Sequence, residues 1–194
     1  MNILKKILQG IKSERLLNFL VRVLKSLLRR IRGFFIIGPG STIGWGLELI
    51  GTKHIQFGRN IGLGNSSRIE AFSSYLSKRF SPKIFIDNDC NFGNNLHIGA
   101  IGEIIIKSGV LGGSNILIID HNHGETLNLS EISSIRPSQR ELTSTGNIYI
   151  GENVWLADNV KILGGSVIES GSIIAANAVV KGKVKRNTIY YGHK

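Results

Sequence analysis

The sequence predicts an all-β fold, a left-handed parallel β-helix wound from six-residue repeats, preceded by an amphipathic α-helical segment. Three observations lead there. From Ile150 the chain reads IGENVW, LADNVK, ILGGSV, IESGSI, IAANAV and VKGKVK, so the first positions Ile150, Leu156, Ile162, Ile168, Ile174 and Val180 are all aliphatic. The fifth positions, Val154, Val160, Ser166, Ser172, Ala178 and Val184, are all small or β-branched. The composition, 42% hydrophobic but only 7% aromatic, suits a core filled by Ile, Leu and Val.

A fixed short period marks a structure that grows by stacking. Each hexad makes a short strand with one aliphatic side chain inward, and the small residue four places on lets the next turn pack closely. Three hexads close a triangular coil, and stacked coils bury a continuous core that no single coil could bury. Gly and Asn between the aliphatic positions suit corners, where left-handed backbone is inexpensive for them.

The N-terminal segment, residues 1–33, obeys a different period. Leu16, Leu17, Leu20, Val21, Leu24, Leu27, Leu28 and Ile31 fall three and four apart, which predicts a helix over 14–32. A shorter stripe, Ile3, Leu4, Ile7, Leu8 and Ile11, precedes it. Nine Lys or Arg stand in this segment against Glu14 alone, so most of the net charge of +11 resides here. That segregation argues against a basic body that grips nucleic acid. It leaves two partners for the helix: an anionic membrane surface, or the chain's own domain and a neighbouring subunit. No run of 18 apolar residues exists to span a membrane, and the single cysteine, Cys90, makes no intrachain disulfide. These features predict a cytoplasmic protein, with the helix as a candidate contact to the inner membrane.

The domain of residues 34–194 begins with weaker hexads at Ile37, Ile43, Phe57, Leu63, Ile86 and Phe92. Between Gly102 and Ile118 registers starting at Ile104 and Ile106 both fit, and Ile106 is preferred because it aligns GGSNIL with the corner pattern. Two stretches break the period, 70–83 and 122–147, and long loops on a regular scaffold usually carry function or an interface.

The segment ILIIDHNHGE, residues 116–125, puts two histidines where the coil gives way to the second loop. Hexads, an Asp-His-x-His-Gly element and then GENVWLADNVKILGGSVI together resemble the hexapeptide-repeat O-acetyltransferases, among them galactoside, maltose and capsular or exopolysaccharide acetyltransferases. The resemblance covers roughly residues 36–194. It implies acetyl-CoA as co-substrate, a saccharide acceptor, a homotrimer and no metal. It makes His121 the general base that takes the proton of an attacking sugar hydroxyl. His123 becomes a substrate or structural contact, expected to point away from His121, with Glu125 as a candidate to orient either ring. Trp155 corresponds to a tryptophan near the acceptor and coenzyme cleft, between coils and close to the catalytic histidine of a neighbouring subunit, and Asn91 to a sugar-contacting asparagine. Ala157, Ala176, Lys181 and Lys194 correspond to positions that hold coenzyme A. Asp158 departs from the pattern, standing where a small hydroxyl residue is common.

Two rival readings accompany this one. A γ-type carbonic anhydrase would need His97, His121 and His123 around zinc, and the 24 residues between His97 and His121 do not fit whole eighteen-residue coils. A non-catalytic, membrane-associated scaffold would use the basic helix alone.

Overall fold

The computed structural model describes residues 16–124 and 133–192. The chain winds through three parallel walls in strict rotation and forms a left-handed β-helix. The first wall stacks seven strands from Thr42–Ile43 to Ile189–Tyr190; the second runs from Glu48–Ile50 to Val179–Val180, and the third from Ile55–Phe57 to Lys183–Val184, six strands each.

The predicted inward positions form the core. Ile150, Leu156, Ile162, Ile168, Ile174 and Val180 are fully buried, and the fifth positions Val154, Val160, Ser166, Ser172, Ala178 and Val184 are buried with them. Strands of two to four residues gain nothing singly. In-register stacking is what stabilises them: Ile69, Ile98, Ile118, Ile162 and Val180 lie over one another along the second wall. The two inward serines satisfy their hydroxyls on backbone carbonyls, Ser166 Oγ donating to Leu163 O at 2.6 Å and Ser172 Oγ to Glu169 O at 2.7 Å.

Asparagines serve the corners as expected. Asn60, Asn95, Asn115, Asn153, Asn159, Asn177 and Asn187 all adopt positive φ, a conformation Asn tolerates better than most residues. The register starting at Ile106 is the one adopted, since Ile106 pairs with Ile150 and with Ile86, while Ile104 adds a second inward residue on the same strand. Eighteen-residue coils hold only near the C-terminus, where Lys161 pairs with Val179. Earlier coils are longer, for His97 pairs with Leu117 and Arg68 with His97.

One helix, α1 (Leu16–Ile36), leads into the first coil and runs past the predicted end at residue 32. Its junction is tight. A Cβ on Gly33 would lie 2.1 Å from the carbonyl oxygen of Ser41, so only glycine permits this approach. Arg32 Nη1 donates to Gly44 O at 2.8 Å, and its guanidinium lies 4.7 Å from the Trp45 ring centroid. The N-terminal stripe at residues 3–11 lies outside the described residues.

Ile162 sits mid-stack, fully buried between Ile118 and Val180. Ile162→Ala is expected to lower unfolding stability by about 2–5 kcal/mol, read as an earlier urea midpoint at unchanged slope.

Candidate active site

The second wall builds the site. Alternation along its strands turns Ile69, Ile98 and Ile118 inward, leaving Arg68 and Glu70, then His97 and Gly99, then Leu117 and Ile119 outward in paired rows. Gly99 leaves a notch in this surface. A Cβ there would lie 3.2 Å from His121 Cε1, 3.3 Å from Ile119 Cγ1 and 3.7 Å from His97 Nε2.

His121 reaches this notch because the chain leaves the coil at Asp120. The Asp120 side chain is fully buried and accepts from the backbone N–H groups of Ile101 at 2.9 Å and Gly102 at 2.7 Å. The Asp120 carbonyl accepts from Thr145 N at 2.8 Å, so the excursion departs and returns across one residue. Its base is an antiparallel ribbon of His121–His123 with Leu142–Ser144.

Asp120 Oδ1 lies 2.9 Å from His121 Nδ1. A carboxylate already holding two N–H donors offers an acceptor to the ring, which favours the proton on Nδ1 and leaves the Nε2 lone pair free. His121 is buried, and Phe72 meets its ring edge to face at 5.7 Å. Asp120 therefore orients the ring; Glu125, the expected candidate for either ring, lies outside the described residues.

Two further expectations need correction. Residues two apart on an extended strand share a face, so His123 does not point away from His121. Each ring meets an aromatic side chain of the 70–83 excursion, Phe72 on His121 and Tyr75 on His123 at 5.4 Å. Nor does sequence spacing keep His97 from His121. The intervening coil is twenty residues long, His97 pairing with Leu117, and His121 lies beyond it on the ribbon, so both rings flank Gly99.

The two excursions dock on one another beside this notch. Tyr75 Oη donates to Ser138 O at 3.0 Å, Ser77 N donates to Glu141 Oε1 at 3.0 Å, and the Ser77 hydroxyl bonds the same carboxylate. Nothing in the period foretells this meeting.

A polar cluster adjoins the notch that sequence reasoning did not assemble. Glu70, mostly buried, accepts from His97 Nε2 at 3.0 Å and from Arg68 Nε at 3.2 Å. Burial holds the His97 ring below the usual histidine range; the Glu70 carboxylate opposes that shift and the Arg68 guanidinium adds to it. The available signal was the alternation in RIEA and HIGA, which puts Arg68, Glu70 and His97 on one outer face once the register is known.

Other expected site residues lie elsewhere on this chain. Asn91, Leu111 and Trp155 follow one another in register along the outside of the first wall, with Trp155 about half exposed, so one chain does not bring Trp155 or Asn91 to His121. Ala157 and Ala176 occupy the corner after the first wall in successive coils, and Lys181 is exposed at the corner after the second. Lys194 lies outside the described residues. Asp158 Oδ1 accepts from Ser114 N at 2.5 Å, so the departure caps the neighbouring coil's corner. Among the described residues no three His, Cys, Asp or Glu side chains gather as metal ligands. Buried Cys90, its thiol pushed up to about 11 by desolvation, is a core residue rather than a nucleophile.

Comparison with known proteins agrees with this architecture. The family described as bacterial transferase hexapeptide (six repeats) matches residues 147–182. A protein of Escherichia coli (strain K12), named "Putative lipopolysaccharide biosynthesis O-acetyl transferase WbbJ", is 34% identical over 140 residues, covering 71% of this chain and 67% of that one. No solved structure matches significantly.

The His97 shift has a pH consequence. The folded ring resists protonation, so the unfolded chain binds more protons below its ordinary value of about 6.5, and stability falls as pH drops through that value. Urea midpoints at pH 7.5 and 5.0 should diverge less for His97→Gln than for the wild type.

Proposed function

Because the chain belongs to the hexapeptide-repeat O-acetyltransferase family, and so is an acyltransferase, we propose that it carries acetyl from acetyl-CoA to a hydroxyl of a bacterial surface saccharide, with His121 as general base. The observation that carries this reading is the Asp120–His121 pair at the Gly99 notch. A sugar hydroxyl holds its proton too tightly to attack a thioester at neutral pH. His121 Nε2 takes that proton as the oxygen bonds to the thioester carbonyl carbon; the carbon–sulfur bond then breaks, and the leaving thiolate recovers a proton from the imidazolium. Asp120 keeps the ring in the competent tautomer throughout. No covalent enzyme intermediate is needed. The name of the Escherichia coli relative, which refers to lipopolysaccharide biosynthesis, favours a surface glycan as acceptor.

In the same reading, small Ala157 and Ala176 let the pantetheine arm of acetyl-CoA approach the backbone, with Lys181 and Lys194 facing its phosphates. A homotrimer completes the site. The outer first wall carries exposed Leu111, Trp155 and Ile189 in one stack, an apolar strip whose covering by a second copy would bring Trp155 and Asn91 to that copy's His121, with His123 beside the acceptor. The scaffold reading gives the Asp120–His121 pair no task, and for the zinc-enzyme reading no set of three ligands gathers among the described residues.

We also assign α1 to an anionic membrane surface. At 100° per residue Leu16, Leu20, Leu24, Leu27, Ile31 and Phe34 share one side of the helix. Every one of them is exposed, and they lie opposite Gly33, which meets the β-helix. No helix among the described residues is long and apolar enough to cross a membrane, so this contact would be peripheral.

Two measurements test these assignments. His121→Ala should cut acceptor-dependent thiol release from acetyl-CoA by roughly 10²–10⁴; undiminished release would move the base elsewhere. Leu20→Glu with Leu24→Glu should free the protein from phosphatidylglycerol vesicles while thiol release toward a soluble acceptor persists.

A further inference from the structure

The side of α1 that faces its own domain carries a second, unassigned feature. Arg22, Lys25, Ser26 and Arg29 recur three and four residues apart, and with Arg30 and Thr42 of the first coil they line a groove of about 370 Å³. No acidic residue lines it, and α1 contains none. Among the described residues Lys25, Arg29 and Arg30 make no ion pair. Arg29 Nε is shielded from solvent and has no hydrogen-bond partner.

Lys25, Arg29 and Arg30, crowded together with no ion-pair partner among the described residues, repel one another, and a buried N–H donor without an acceptor is a cost that few native structures leave uncompensated. A tetrahedral oxyanion removes both costs. Guanidinium forks match phosphate oxygens in two-point geometry, while Lys25 supplies a point charge and Ser26 a hydroxyl. We propose that this groove binds a phosphoryl group. It is separate from the notch at His121 and from the corners assigned to coenzyme A, which belong to later coils. Arg30 also borders a second groove, lined by Ile31, Phe34, Phe35, Gly40 and Ser41. An apolar channel that shares a cation with the phosphoryl site would accept the chain of an amphiphile whose phosphate lies in the first groove.

The phosphoryl group could be free or carried by a lipid, and two probes separate these sources. Calorimetric titration of the full chain with inorganic pyrophosphate tests the first. Cosedimentation with phosphatidylglycerol against phosphatidylcholine vesicles tests the second. Arg29→Gln should weaken whichever probe binds by about tenfold, Arg29→Lys less, and the distant Lys185→Gln not at all. Pyrophosphate binding that Arg29→Gln abolishes assigns a free phosphoryl ligand; a loss confined to phosphatidylglycerol vesicles assigns a lipid headgroup. If neither probe binds, or if Arg29→Gln and Lys185→Gln weaken binding equally, the groove is not a phosphoryl site. His121→Ala should bind as the wild type does, so the result stands apart from acetyl transfer.

Discussion

Stacking in register is the constraint on which everything else rests. A strand of two residues has too few hydrogen bonds and too little apolar surface to persist, and each rung here persists because an identical position above and below it is also aliphatic. The core is therefore a set of columns, such as Ile98–Ile118–Ile162, rather than a cluster gathered from distant parts of the chain. Columns of this kind leave outer faces that are straight, repetitive and free to be specialised row by row.

That freedom is used on the second wall. Removing a side chain at Gly99 makes a notch, and turning the chain out of the coil at Asp120 supplies an imidazole to fill part of it. Asp120 performs structural and chemical tasks with one side chain. Its oxygens hold the backbone of the coil before it through Ile101 and Gly102, and the same carboxylate sets the orientation of His121. The proposed general base is thus anchored to the regular stack of the coil.

Much of this was legible in the sequence, and the limits have physical causes. The hexads near Ile150 named the inward residues outright, because one period of six maps to one structural position. Asn corners and the Ile106 register followed from the same rule. Spacing failed where coils lengthen: counting eighteen residues per turn separated His97 from His121, whereas longer coils and the outward step at Asp120 bring both to Gly99. The Arg68–Glu70–His97 cluster was hidden because outward residues carry no periodic signal. Trp155 and Asn91 were singled out by resemblance rather than by period, and on this chain they lie on a different wall from the one beside His121.

The return of the excursion to Asp120 through Thr145 N makes its length almost independent of the coil. In a flexible loop each doubling of length adds only about 0.6 kcal/mol of closure entropy. Outside its docking contacts at Ser138 and Glu141, the excursion can therefore be lengthened or shortened during divergence at little thermodynamic expense, while Asp120 and His121 keep their positions. If His121 is the base, as proposed, a lineage built on this scaffold can explore new acceptors by rewriting this excursion, without reopening the question of how the proton is removed.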